Sequence, residues 1–294
     1  MSTKAPEANK TKLIERLRQI SRGAPAPIGF GRVAESTAPA MLLVAVLPRN
    51  ELGLAQAALR AGVTVIAFRL CGAQTDLLKE TGDLDAERQA ILDAVKALGD
   101  QAVTGVIVGS NGSLDPSKLG ALTELGVDFV AAYPHLMSAG FLELTSVGRI
   151  AILDHQGGQL ARGINDLSIQ AVLVRTERPA DSPPTMTVLD VAAFRAAADG
   201  IHRPLIAFPS WKVAPEDVEI LKNAGIEALA LVGPSPDADE KTIEDTVRPY
   251  AEIVGRLGKP TGRRVALTEP AVILPRVAAP LGGDEGDEPD EDDE

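Results

Sequence analysis

MLLVAVLPRNELGLAQAALRAGVTVIAFRL, residues 41–70, holds one full turn of the pattern that organises the chain. MLLVAVL (41–47) is a continuous apolar run, too short for a free-standing helix and suited to a strand covered on both faces. ELGLAQAALRAG (51–62) has helical composition and stops at Gly62, and VTVIAFRL (63–70) is a second strand of the first kind. The pattern then repeats. Apolar strands are expected at 103–109, 127–133, 149–155, 170–176, 204–210 and 227–233, and helices at 83–100, 115–126, 187–199, 215–224 and 240–257. Asp115 and Pro116 open the 115–126 helix as N-cap and first-turn proline.

Strict alternation of strand and helix implies parallel strands joined by helical crossovers. Eight such units between Met41 and Gly258 match a (β/α)8 TIM barrel. The rival, an open doubly wound sheet, suits fewer strands, and no Gly-x-Gly-x-x-Gly follows any strand here. AALRAGVTVIAF (57–68), ALTELGVDFVAA (121–132) and ILKNAGIEALAL (220–231) share one junction, in which a helix ends on glycine and drops into a strand. Gly62, Gly126 and Gly225 are placed to take the left-handed conformation that such an ending needs. The units after strands four and five, 134–148 and 156–169, are short and predict shortened helices on that side.

Outside the barrel, residues 1–40 read as a lead with a capping helix over 11–22, where Leu13, Ile14, Leu17 and Ile20 fall at helical spacing. Residues 259–283 read as a C-terminal extension, and 284–294 as an acidic disordered tail. Nine of those last eleven residues are acidic; without them the net charge of −12 falls to −3. A near-neutral body offers no basic footprint for nucleic acid or for an anionic membrane. One cysteine, Cys71, rules out an intrachain disulfide, and no run of 18 apolar residues exists, so the expectation is a soluble cytoplasmic protein.

In a barrel of this kind the loops after the strands build the functional end. Two of the three histidines, His135 and His155, fall there, with the one tryptophan, Trp211, and one of the two tyrosines, Tyr133. Polar loops alone explain any one of these residues; their joint concentration points to a ligand site. Asp154 with His155 offers an acid and a base, and with His135 the same residues offer part of a divalent-metal site. A metal is neither required nor ruled out, and a cofactor, flavin and nicotinamide included, stays unassigned. Lys212 beside Trp211 is either a desolvated nucleophile or a lysine whose stem packs on the indole. Arg69 and Arg175 end strands and present planar forks for a carboxylate or phosphate, or else form rim salt bridges. Asn111, in SNGS, and Ser235, in GPS, sit in turns whose amides suit an anion. The turn after strand seven, FPSWK, lacks the glycine found in many phosphate-binding barrels.

LTELGVDFVAAYPHL (122–136) and PLIAFPSWKVAPEDVEILKNAGIEALALVGP (204–234) resemble the aldolase-type and ribulose-phosphate-binding TIM barrels. Within that superfamily, GVDFVAAYPHL is similar to the fourth-strand region of keto-deoxy-gluconate-phosphate aldolases. The Schiff-base lysine of those enzymes belongs on strand six, where this chain has Arg175 and no lysine, so that activity is not implied. The rim residues lead to the expectation of a lyase- or isomerase-type enzyme acting on a small anionic metabolite, carboxylated or phosphorylated. His155, Asp154, Lys212 and His135 are its catalytic candidates, and Arg69, Arg175, Asn111, Ser235 and Trp211 its binding candidates. The alternative is a non-catalytic barrel serving as a subunit or scaffold, as a homo-oligomer or with a basic protein partner held by the acidic tail.

Overall fold

The structure, a computed structural model, describes residues 11–22, 39–75, 77–112, 114–154, 158–176, 182–183 and 185–257. The lead before Thr11, the 259–283 extension and the acidic tail lie outside the described residues, as do His155 and most of the 176–185 loop.

Eight parallel strands close into a barrel in chain order: β1 (Leu42–Val46), β2 (Val65–Leu70), β3 (Val103–Val108), β4 (Phe129–Ala132), β5 (Gly148–Asp154), β6 (Ala171–Thr176), β7 (Leu205–Pro209) and β8 (Ala228–Val232). The ladder between β1 and β8, from Leu42↔Ala228 to Val46↔Val232, completes the cylinder. The helices are α1 (Lys12–Arg22), α2 (Leu52–Arg60), α3 (Leu84–Leu98), α4 (Pro116–Glu124), α5 (Gly158–Asp166), α6 (Val188–Gly200), α7 (Val218–Asn223) and α8 (Glu240–Arg256). The (β/α)8 TIM barrel expected from the sequence is therefore present. Among the described residues no helix is long and apolar enough to cross a membrane.

The strands read as unbroken apolar runs because both their faces are covered. Leu43, Phe68, Val106 and Val130 face the helices. Leu42, Val44, Val65, Phe129, Ile150 and Leu173 fill the barrel interior. Gly105 on β3 makes room for one of these, since a Cβ there would lie 2.3 Å from the Phe129 ring. The three repeated junctions behave as expected: Gly62, Gly126 and Gly225 have φ of +99°, +71° and +95°.

The short units are real and have a local cause. After β4 the chain makes two 3-10 turns, Pro134–Leu136 and Ala139–Glu143, in place of an α-helix. That segment is tied instead to the loop after β3, because Leu114 N–H donates to Leu136 O and Ser138 N–H donates to Leu114 O. After β5, α5 is nine residues long, against fifteen for α3.

Helix α1 closes the N-terminal end of the barrel. Leu13, Ile14 and Leu17 are fully buried and pack with the interior strand residues. The Asp128 carboxylate, just before β4, accepts from the amides of Lys12 and Leu13 at 2.8 Å each, so it caps α1 from the barrel's own rim. At the helix's other end Ser21 Oγ donates to Glu227, just before β8. With the bottom plugged, the interior opens, among the described residues, where the strands end.

Candidate active site

The open end holds a cavity of about 250 Å3. Its floor is apolar: Ile107, Ile152, Phe208 and Val232 come from β3, β5, β7 and β8. Its polar groups are few. Arg175 and Tyr133 face each other, and Ser110, Ser210, Thr75 and Arg69 complete the set.

Arg175 and Tyr133 reach the cavity by strand parity. Side chains alternate along a strand, so counting by two from the inward Ala171 and Leu173 gives Arg175, and from Phe129 and Ala131 gives Tyr133. Arg175 Nη1 donates to the Tyr133 hydroxyl at 2.7 Å. The Tyr133 ring lies 5.6 Å from that of His135, centroid to centroid, tilted by 46°. His135 itself is exposed on the 3-10 turn and does not line the cavity.

Arg69 lines the cavity, but its fork is held by the protein. The guanidinium donates to the carbonyls of Lys79 (2.6 Å), Ala73 (3.1 Å) and Pro48 (3.3 Å). Two of these belong to the loop from Cys71 to Gly82, which also ties itself together through Thr81 N–H to Gly72 O and Cys71 N–H to Gly82 O. Arg69 is thus the internal brace of a strap that carries Thr75, Leu77 and Leu78 over the mouth. Burial lowers its pKa to about 10, against the upward pull of Glu87. Asn50 extends the β1–β2 pairing beside it: its side-chain amide donates to Arg69 O at 2.7 Å and accepts from Arg69 N–H at 2.9 Å.

The remaining candidates from the sequence do not converge on this cavity. Asp154 pairs in register with Arg175 but its side chain is exposed at the rim. His155 lies outside the described residues. Lys212 and Trp211 line a second cavity, also about 250 Å3, behind the ends of β7 and β8. Asn111 is exposed, and its amide is spent on Cys71 O; Ser235 lines neither cavity. Cys71, half-buried behind the mouth, lines a small space with Leu84, Lys118 and Leu122, and burial pushes its thiol pKa up. Among the described residues there is no cluster of three or more metal-ligating side chains. Tyr133, Thr75, Ser110, Ser210 and Phe208 are among the lining residues that the candidate set lacks; parity counting from the strand centres reaches Tyr133 and Phe208, and no local signal marks Thr75.

No protein-family model matches the sequence, and no curated protein is similar to it. Solved structures are similar in fold. A thiamine phosphate pyrophosphorylase from Pyrococcus furiosus superposes with a TM-score of 0.53 at 14% identity, covering 74% of this chain and 98% of that one. A phosphoribosyl anthranilate isomerase from Thermus thermophilus gives 0.51 at 19% identity, over 74% and 100%. A mutant tryptophan synthase alpha-subunit from Pyrococcus furiosus gives 0.56 at 12% identity, over 74% and 98%. The resemblance carried by the helix–glycine–strand junctions holds at the level of the fold: this chain, like those proteins, is an eight-stranded (β/α)8 TIM barrel.

Proposed function

We propose that the barrel mouth binds a small anionic metabolite with an apolar body and acts on it by lyase- or isomerase-type chemistry. The carrying observation is the Arg175–Tyr133 pair at 2.7 Å, set in a mostly apolar cavity. A guanidinium beside low-dielectric walls favours a carboxylate or phosphate more than it would in water. Ser110 and Thr75 supply neutral hydroxyls around the same anion. The names of similar structures, a pyrophosphorylase of thiamine phosphate and an isomerase of a phosphoribosyl compound, support a phosphorylated substrate. Tyr133, held by Arg175, is the proton-transfer group nearest the anion; Asp154, His135 and Lys212, with His155 next in sequence to Asp154, are the further groups proposed to serve a bound substrate. The lone thiol, Cys71, fits a reducing, cytoplasmic setting.

The test is calorimetric titration of the full chain with small phosphorylated and carboxylated metabolites, repeated on Arg175→Met. Binding that falls at least tenfold in the variant supports the reading. Equal binding by both proteins rejects it.

A second reading has its own observation. Among the described residues that line the mouth there is no carboxylate, imidazole or lysine. A barrel that binds its ligand without turning it over, as a subunit of an assembly, fits that lining. Light scattering of the full chain and of one ending at residue 283 tests for an assembly and for a role of the acidic tail in it. A monomer in both cases counts against this reading.

A further inference from the structure

The second cavity lies in the wall of the barrel rather than on either side of it. Four consecutive residues of β8, Leu229 to Val232, line it. Consecutive strand residues point to opposite faces, so a space that touches all four runs along the strand's edge. The β1 edge of β8 is fully paired, up to Val46↔Val232. The space therefore lies on the β7 edge, where the ladder stops at Ala207↔Leu229. Proline explains the stop. Pro209 has no N–H to give to β8, while β7 stays paired with β6 as far as Thr176↔Pro209. Behind the gap stand Trp211, Val213 and, from α8, Thr246 and Tyr250. The Tyr250 hydroxyl already donates to Val213 O. Leu77, Pro209 and Val232 line both this space and the mouth cavity, so the two adjoin at the seam.

We propose that the seam between β7 and β8 is a second ligand subsite, joined to the mouth, which takes an apolar arm of the molecule whose anionic group Arg175 holds. The inference rests on the mouth being an anion site, and it narrows the ligand to a molecule with an anionic head and an apolar arm. A space of about 250 Å3 beside the mouth has room for a chain of several methylenes. Leu229, Leu231, Val213 and the Trp211 ring make its lining mainly apolar, with Lys212 and Thr246 the polar side chains beside them.

Alkyl phosphates from methyl to octyl, kept below their micelle-forming concentrations, test this on the full chain. Calorimetry reads affinity, and the emission of Trp211, the one tryptophan of the chain, reads the seam directly. Affinity should rise about fourfold per added methylene until the seam is filled, and Trp211 emission should shift with the longer chains only. Thr246→Phe, which fills the space from α8, should abolish the gain while leaving methyl phosphate affinity unchanged; Leu231→Phe fills it from the strand and repeats the test if the first variant loses all binding. Longer chains that bind no better than methyl phosphate, or a gain that survives both fillings, overturn the seam subsite and leave the mouth reading standing. If no alkyl phosphate binds, or Arg175→Met binds methyl phosphate as well as the parent, the mouth reading falls and the seam subsite falls with it.

Discussion

Arg175 on β6 and Tyr133 at the end of β4 meet across the barrel mouth, with the guanidinium donating to the phenol oxygen at 2.7 Å. The pair skips a strand, because β5 lies between β4 and β6. Its geometry therefore depends on the closed curvature of the sheet and reports on it. The phenol fixes one edge of the fork at the point where both side chains line the cavity.

Tyr133→Phe is expected to weaken anion binding five- to tenfold while leaving the fold intact. A hydrogen bond to a charged group contributes about 1.5–3 kcal/mol, and part of that returns as the fork repacks. Calorimetric titration with the best phosphorylated ligand measures the loss, and an unchanged affinity means that Arg175 needs no positioning by the phenol.

Arg69 is expected to behave in the opposite way, as a stability residue. Arg69→Met leaves the carbonyls of Ala73 and Lys79 without the donor that now serves them, while Pro48 O keeps the Lys79 N–H. Leaving a buried acceptor unsatisfied costs about 1–3 kcal/mol, so a total near 3 kcal/mol is expected from urea unfolding. Protease cutting within the strap, between Gly72 and Thr81, should accelerate in parallel. A variant as stable as the parent, with its strap intact, would show that the brace contributes nothing.

Gly109 sets how closely the ends of β2 and β3 approach. A Cβ there would lie 2.6 Å from Cys71 O and 2.7 Å from the Gly72 Cα, both backbone atoms that cannot swing aside. Cys71 is already held at φ +50°, a conformation that side chains other than glycine take up at a cost. Gly109→Ala is expected to destabilise the protein by about 2–3 kcal/mol, the range of overpacking in a tight site. Gly120→Ala is the control. Nothing lies within 4 Å of an added Cβ there, and the residue sits inside α4, so its urea midpoint should hold or rise, alanine being the better helix former by about 0.5–1 kcal/mol.

The elements were legible because each apolar run is buried on both faces, and because Gly62, Gly126 and Gly225 mark where helix gives way to strand. The capping helix was legible for the same reason: Leu13, Ile14, Leu17 and Ile20 make one stripe, and that stripe is the plug. The site was legible only in part. A strand-end position tells that a residue sits at the rim; parity tells whether it points inward. Arg175 meets both conditions. Lys212 is past the end of β7, where parity no longer applies, and it turns to the second cavity. Arg69 meets both conditions and is nevertheless captured by a loop, because the carbonyls that hold it belong to residues whose positions only the folded strap fixes. Pro209 was in plain view in the FPSWK turn, but the gap it opens depends on the strand that lies beside it.

The plug gives a stability prediction that needs no ligand. Leu17 is fully buried beneath the barrel interior. Leu17→Ala is expected to cost about 2–5 kcal/mol, the range for truncating a buried leucine. Hydrogen exchange should show the amides of α1 losing protection before those of β1 to β4. Simultaneous loss in all of them would mean that plug and barrel unfold as one unit.

Tyr250 supplies the pH prediction. Burial, with Glu216 and Asp217 adding to it, pushes its phenol pKa up from 10.0 to about 12. Between those values the unfolded chain has lost the proton and the folded chain still holds it. The folded state then binds more protons, so stability falls as pH rises through this window. The group's contribution is complete below pH 10 and is lost as pH rises towards 12. Arg69 works against it in the same range, since burial lowers its pKa to about 10 and raising pH relieves the penalty of burying its charge. The two are separated by comparing proteins rather than pH values. Tyr250→Phe removes the hydrogen bond to Val213 O and should lower stability by about 1 kcal/mol at pH 8. The difference between variant and parent should shrink from pH 9 to pH 11 in urea titrations, because the parent alone gives up the contribution of the phenol. A difference that is constant or grows over that range would show that the phenol titrates alike in the folded and unfolded chains.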